Sequence, residues 1–214
     1  MTGKTHCPLC AGANISPYFS DKRRPYLCCG GCGLVFVPPA RFLDRESERA
    51  EYDLHQNAVD DPAYRAFLSR LAQPLMQRLE PGARGLDFGC GQGPALAHML
   101  REAGFEVALY DSFFQPDQRV LGRQYDFICA TEVVEHLHRP GVELARLWSL
   151  LRPGGWLGIM TKLVRDAEAF ANWHYKNDPT HVCFFSAGTW RWWARQQGAN
   201  VDIMGADVIL LRRE

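Results

Sequence analysis

The sequence predicts an α/β fold, a doubly wound and mostly parallel sheet, with a small cysteine-rich module in front of it. Three observations predict it. A short apolar run, Leu86-Asp87-Phe88, enters a glycine loop, Gly89-Cys90-Gly91-Gln92-Gly93, that opens an amphipathic helix. Further strand-like and helix-like segments follow, and two strands, Asn200 to Met204 and Val208 to Leu211, close the sheet. Five of the eight cysteines crowd into residues 7 to 32.

A chain of 214 residues fits one sizeable core plus a small appendage, and 47% hydrophobic with 22% charged residues is ordinary for a folded globular protein. The 24 Lys and Arg balance the 24 Asp and Glu, so nothing global favours an electrostatic hold on nucleic acid or on an anionic membrane. No apolar run approaches the roughly 20 residues of a membrane helix. The polar start Met1-Thr2-Gly3-Lys4-Thr5-His6 does not read as a signal peptide, and a cytoplasmic location is expected.

Residues 1–38 form the predicted front module. Cys7-Pro8-Leu9-Cys10 and Cys29-Gly30-Gly31-Cys32 are two C-x2-C knuckles 18 residues apart, the spacing of a four-thiolate zinc ribbon. Cys28 could replace Cys29 if the turn slipped by one residue, but Cys29 restores the two-residue gap. So few residues bury little core, and a metal would supply folding energy. The site is then either purely structural or also a grip on substrate through Lys22, Arg23, Arg24, Tyr18, Phe19 and Tyr26. Lys4, Lys22, Arg23 and Arg24 outweigh Asp21 here, the one uneven charge in the chain.

Residues 39–80 are the connector and a packing helix. Pro38 and Pro39 end the module, and residues 41–57 are strongly charged, as in an exposed helical or irregular linker. Asp61 can cap a helix with Pro62 in its first turn, placing Tyr64, Phe67, Leu68, Leu71, Leu75 and Leu79 on one stripe.

Residues 81–214 are the predicted catalytic domain. After the glycine loop, Pro94 opens a helix with Leu96, Met99, Leu100 and Ala103 on one face and Gly104 as its stop. A second strand, 105–110, ends at Asp111, where a carboxylate can accept both hydroxyls of a ribose. The loop reads G-x-G-x-G, with Pro94 where a dinucleotide fingerprint wants its third glycine or alanine, which disfavours NAD or FAD. Leu86 to Gly93 resembles motif I of class I S-adenosylmethionine methyltransferases, a Rossmann-like family. The likeness continues through Tyr125-Asp126-Phe127-Ile128, Thr131-Glu132-Val133-Val134-Glu135-His136-Leu137 and Leu150-Leu151-Arg152-Pro153-Gly154-Gly155.

The resemblance implies that Asp87, Phe88, Gly89, Cys90, Gly91 and Gly93 hold the methionine end of S-adenosylmethionine and that Asp111 binds its ribose. It also puts Thr131, Glu132 and Val133 at the transfer site. Only residues 112–124 lie between Asp111 and Tyr125, too few for the family's usual helix and third strand, so that region must be shortened or missing. Ser112, Phe113 and Phe114 then either close over the adenine or plug the sheet face the missing helix leaves bare.

Glu132, Glu135 and His136 share one face if a helix begins at Glu132, and such a face can hold a divalent ion. The pattern resembles the magnesium-binding motif of ubiquinone-biosynthesis O-methyltransferases and of small-RNA 3′-terminal 2′-O-methyltransferases, with His181 as the completing ligand and Mg or Mn as the ion. The other reading is a solvated helix start that touches the cofactor. A second constellation runs from Phe170 to Phe185, and His174, Tyr175 and His181 in it are general-base candidates beside His136. Asp178-Pro179-Thr180-His181 is equally readable as a capped turn. Trp190, Trp192 and Trp193 lie on a helix from Ser186 to Gly198 and read as core, as do Cys90, Cys129 and Cys183.

The function expected is methyl transfer to an oxygen of a small molecule. The alternatives are a metal-assisted RNA 2′-O-methyltransferase, which the neutral charge disfavours, and a non-catalytic cofactor-binding module.

Overall fold

The structure, a computed structural model, describes residues 5–54 and 58–214; Lys4 and the connector's residues 55–57 lie outside the described residues. At the front, β1 (Ile15–Ser20), β2 (Pro25–Cys29) and β3 (Val35–Phe36) make an antiparallel meander. Two helices follow, α1 (Arg45–Asp53) and α2 (Pro62–Met76). The Asp61 side chain accepts from the backbone N–H groups of Ala63 and Tyr64, so the Asp-Pro start of α2 caps as its sequence implies.

The catalytic body alternates β4 (Arg84–Phe88), α3 (Ala95–Glu102), β5 (Glu106–Tyr110), β6 (Tyr125–Thr131), α4 (Pro140–Leu150) and β7 (Leu151–Met160). A short helix α5 (Ala167–Ala171), the two-residue strand β8 (Cys183–Phe184), helix α6 (Ala187–Gln197) and the strands β9 (Asn200–Met204) and β10 (Val208–Arg212) complete it. The central sheet has the order β5-β4-β6-β7-β10-β9. Its first four strands are parallel, and β10 runs antiparallel to both neighbours.

Both faces of this sheet are buried, and period-two alternation sorts the side chains. Phe127, Cys129, Val208 and Leu210 face a core shared with α2 and α3, while Ile128, Ala130, Ile209 and Leu211 face one shared with α4 and α6. No strand lies between β5 and β6, and β5 is the edge of the sheet. Residues 112–124 form a tight turn bridged from Asp111 to Gln115 and one 3-10 turn, Gln118–Gly122, as the short spacing required.

The front meander is continued by the catalytic body. β3 pairs with β8, Val35 against Phe184 and Phe36 against Cys183, giving the sheet order β1-β2-β3-β8. The first cysteine knuckle docks at the start of α4, where Gly141 N–H donates to the Pro8 carbonyl at 3.1 Å. A Cβ on Gly141 would stand 2.2 Å from the Leu9 carbonyl oxygen, so that contact needs glycine.

Helix α6 anchors the C-terminal hairpin. Trp190 and Trp193 are buried, Trp190 stacked on Phe185 and Trp193 edge-on to Trp148. Ser186 and Thr189 form a reciprocal capping box, and Gly198, at φ +61°, ends the helix. Replacing Ser186 by Ala is expected to cost about 1 kcal/mol, read as a shift in the urea midpoint at constant slope.

Candidate active site

The strand order reverses between β4 and β6, and ligands of such sheets bind at the carboxyl ends of the strands beside that reversal. One cavity of about 890 Å³ opens there. Its floor is the glycine loop. Gly89, at φ +75°, turns the chain out of β4, and a Cβ there would come 2.4 Å from Val133 Cγ2. The Gly89 and Cys90 N–H groups donate to the Tyr110 carbonyl at 2.7 and 3.2 Å, which ties the loop to the end of β5.

Asp111 organises the next wall. Its Oδ2 accepts from Gly91 N–H at 3.1 Å, and Oδ1 accepts from the N–H groups of Phe113 and Phe114 at 2.8 and 3.0 Å. Oδ2, with one N–H bound, keeps a second lone pair for a hydroxyl. Asp87 is buried beneath the loop with Oδ1 lacking a partner, and burial pushes its carboxyl up to about 7.

Titratable side chains line the rest of the cavity. Glu132 follows β6 in the left-handed region, φ +52°, with its N–H held by the Met160 carbonyl at 2.7 Å. The chain therefore does not enter a helix at Glu132. One 3-10 turn, Val134–His136, comes first, and α4 begins only at Pro140, whose fixed φ suits a first helical turn. Helical spacing consequently does not bring Glu132, Glu135 and His136 together. The group that does gather is Glu135, His136 and His181, with ligand atoms all within 4.8 Å of one another.

Tyr175 binds the two acids from above. Its hydroxyl lies 3.2 Å from Glu132 Oε2, 3.3 Å from Thr161 Oγ1 and in a very short contact with Glu135 Oε1. Burial pushes the Glu132 carboxyl up to about 7 and that of Glu135 well above the usual range, and the Tyr175 phenol is raised as well. His181 points Nδ1 at the Tyr175 carbonyl, 2.7 Å away, and Nε2 lies 3.7 Å from Asp178 Oδ2. In the neutral ring that carbonyl contact assigns the proton to Nδ1 and the lone pair to Nε2. His174 Nε2 sits 3.0 Å from Lys162 Nζ.

All of the sequence-derived candidates for cofactor binding line this one cavity, as do His136, His174, Tyr175 and His181. Sequence reasoning missed one lining element. Helix α1, read as an exposed connector, lines the cavity with the glycine loop through Arg45, Glu48 and Tyr52. Arg45 donates to the Ser112 carbonyl and covers the Phe113 ring at 4.5 Å, Arg49 covers Phe114 at 4.5 Å, and Tyr52 meets Phe113 and His136 edge-on. Phe113 and Phe114 thus pack under arginines. The only sequence signal was Tyr52 within an otherwise charged run. Lys162, just beyond β7, was also missed.

At the front, Cys7, Cys10, Cys29 and Cys32 converge, with Sγ separations of 3.5 Å for Cys7–Cys32 and Cys10–Cys29 and all four within 4.8 Å of one another. Tetrahedral zinc with bonds of about 2.3 Å would place sulfurs about 3.8 Å apart, so the donor set fits that ion. Cys28 stands outside the group and contacts the Cys29 carbonyl. The hydrogen bond between Cys7 and Cys32 pulls the Cys7 thiol down to about 5 and raises that of Cys32. Arg24 and Tyr26 are buried and turned inward, away from any external ligand.

A mostly parallel sheet with a glycine loop after one strand, an acid at the end of the next and a polar cavity beside them is the frame of a Rossmann-like methyltransferase fold. The chain belongs to the methyltransferase-domain family, whose model matches residues 59–202, and is an S-adenosylmethionine-dependent enzyme. The bifunctional biotin-biosynthesis protein BioCD of Bordetella avium (strain 197N) is 30% identical over 156 residues, which cover 63% of this chain and 32% of that protein. The chain therefore spans about a third of that relative's length.

Among solved structures, the 1,6-didemethyltoxoflavin-N1-methyltransferase of Burkholderia thailandensis, bound to its substrate and S-adenosylhomocysteine, shares the fold. Its TM-score is 0.56 at 18% identity, covering 92% of this chain and 99% of that one. The magnesium protoporphyrin IX methyltransferase of Synechocystis PCC 6803, with S-adenosylhomocysteine bound, gives 0.52 at 18% identity, covering 79% and 93%. No helix among the described residues is long and apolar enough to cross a membrane.

Proposed function

We propose that the chain methylates an oxygen of a small molecule, with cofactor and acceptor bound on opposite walls of the one cavity. The observation that carries this reading is that the glycine loop and the His136–Tyr175–His181 group line the same cavity. Asp87, Phe88, Gly89, Cys90, Gly91 and Gly93 hold the methionine end of S-adenosylmethionine. Asp111 accepts the ribose hydroxyls, Ser112 and Phe113 flank the adenine beneath α1, and Thr131, Glu132 and Val133 border the sulfonium.

The cofactor supplies an electrophilic methyl group, so the chain's task is to align the acceptor in line with it and keep water out. His181 takes the acceptor's proton at Nε2, the ring being held by its Nδ1 contact to the Tyr175 carbonyl. Tyr175 braces Glu132 and Glu135, and His174 with Lys162 forms the outer rim. The four cysteines hold a structural zinc ion. A small molecule rather than RNA suits the balanced charge of the chain and the inward-facing Arg24.

A second reading keeps the oxygen acceptor and adds a divalent ion, Mg or Mn, on Glu135, His136 and His181, favoured by their convergence and by the partnerless buried Oε2 of Glu135. Such an ion would orient the acceptor oxygen and make it more acidic. A chelator that leaves turnover and acceptor binding unchanged would reject it.

Isothermal titration tests the cofactor side. Asp111→Ala is expected to weaken S-adenosylhomocysteine binding by about 1–3 kcal/mol, because the ribose hydroxyls lose their acceptor and three loop N–H groups lose theirs. Unchanged affinity would remove Asp111 from the site.

A further inference from the structure

The basic run Lys22-Arg23-Arg24 is not explained by cofactor or acceptor binding, yet its third member sits in an unusual place. Arg24 is buried, and among the described residues no carboxylate pairs with its guanidinium. Its partners are backbone. Nη2 donates to the carbonyls of Lys176 and Asp178 at 2.8 and 2.7 Å, Nη1 to that of Pro179 at 3.0 Å, and Nε to the Tyr26 hydroxyl at 3.2 Å. The Tyr26 hydroxyl in turn donates to the Lys176 carbonyl at 3.1 Å. Burying a cation against neutral acceptors is costly unless its donors are used, and here three carbonyls of one short segment and the Tyr26 hydroxyl take four of the five N–H groups.

That segment has two faces. Toward the front sheet it presents these carbonyls and the buried Lys176 ammonium, 2.7 Å from Asp21 and lying over the rings of Phe19 and Tyr26. Toward the cavity it presents Tyr175, Asp178 and His181. Arg23 adds a bond to the Asn177 carbonyl at 3.2 Å. A loop without strand or helix partners must satisfy its buried carbonyls elsewhere, and the partner it uses decides where its side chains stand.

We propose that Arg24 is a positioning residue for methyl transfer: from the front sheet it fixes the backbone of residues 176–179 and thereby sets where Tyr175 and His181 stand on the acceptor wall. This rests on the reading of those two residues as acceptor-side groups. It gives the front module a task beyond holding a metal. The planar fork of an arginine reaches several carbonyls at once, which a lysine ammonium does not reproduce.

The test uses the full chain with zinc bound, and S-adenosylhomocysteine as the cofactor probe. In Arg24→Met, amide hydrogen exchange of residues 175–181 is expected to accelerate at least tenfold. Carbethoxylation of His181 by diethyl pyrocarbonate, read by mass spectrometry, should accelerate at least fivefold. Exchange of the glycine loop, 88–93, and affinity for S-adenosylhomocysteine should stay within twofold, and Arg24→Lys should restore less than half of the lost protection. Should Arg24→Met fail to fold, Tyr26→Phe, which removes one bond to the Lys176 carbonyl, should raise exchange two- to fivefold in the same residues. Unchanged exchange and His181 reactivity in these variants, or an increase spread equally over the glycine loop, overturns the proposal. The acceptor-wall reading fails differently, by methyl transfer that survives Tyr175→Phe and His181→Ala unaltered.

The Asp21–Lys176 pair gives the clasp a pH signature. Burial alone would raise the Asp21 carboxyl, but the hydrogen bond from Lys176 and the N–H groups of Arg24 and Arg23 bring it down to about 2. A carboxyl lowered on folding stabilises above its unfolded value of about 4 and loses that contribution as pH falls toward 2. The stability gap between wild type and Asp21→Asn is therefore expected to be full at pH 5 and above and to close between pH 4 and 2, measured by urea titration.

Discussion

Removing the zinc proposed for the four-cysteine cluster, by a strong chelator or by Cys29→Ser, is expected to lower the melting temperature by about 10–20 °C and to open the front sheet. The magnitude follows from two considerations. In isolated finger peptides a structural zinc is worth about 10–16 kcal/mol, and a chain of this size shifts by about 2–4 °C for each kcal/mol. The full value is not expected here, because the front sheet is partly held by β8 and by the Arg24 clasp. About 5 kcal/mol is a reasonable share. The effect should reach the active site, since β3 pairs with the strand that directly follows the His181 segment. Elemental analysis of purified protein should give about one zinc per chain. Protein that contains none, gains none on reconstitution and melts unchanged after Cys29→Ser would show the cluster to be four reduced thiols.

His181→Ala is expected to lower kcat for methyl transfer by about 10²- to 10⁴-fold, the usual loss for a positioned base, while S-adenosylhomocysteine affinity stays within twofold. His181 is the strongest of the four candidates. The Tyr175 hydroxyl is committed to two carboxyls and Thr161, its phenol is raised by burial, and His174 is turned to Lys162. His136 lies against His181, ring centroids 4.6 Å apart, and against Tyr52. Tyr175→Phe should cost about tenfold, since it removes the brace on Glu132 and Glu135 and leaves the imidazole in place. The check is single-turnover transfer from methyl-labelled S-adenosylmethionine to an acceptor found by screening small hydroxyl compounds. A larger loss in Tyr175→Phe than in His181→Ala would move the base to the tyrosine–carboxylate group.

Much of the local structure around the glycine loop was legible because it rests on local rules. Gly89 and Gly91 mark positive-φ turns, Asp111 stands at a strand end, Pro62 and Pro94 begin helices, and the short spacing to Tyr125 announces the missing strand. The cysteine knuckles were legible for the same reason: their spacing alone brings each pair to one point. Where a local rule was extended across the chain, it was less secure. The face shared by Glu132, Glu135 and His136 assumed a helix that the left-handed Glu132 and the later start at Pro140 rule out.

The sequence by itself determined the class of fold, the glycine loop, the metal-type cysteine spacing and the identity of the polar residues available for chemistry. These follow from periodicity, turn chemistry and residue type, which act over a few positions. Only the tertiary structure decided which of those residues meet: that α1 lines the cavity beside the glycine loop, that Glu135, His136 and His181 gather without Glu132, and that the front sheet grips residues 176–179 through Arg24. The physical reason is burial. An exposed charged helix and a helix lining a cavity read alike in sequence, as do a solvated arginine and one enclosed by carbonyls. What separates them is the surface each finds on chain segments far away in sequence.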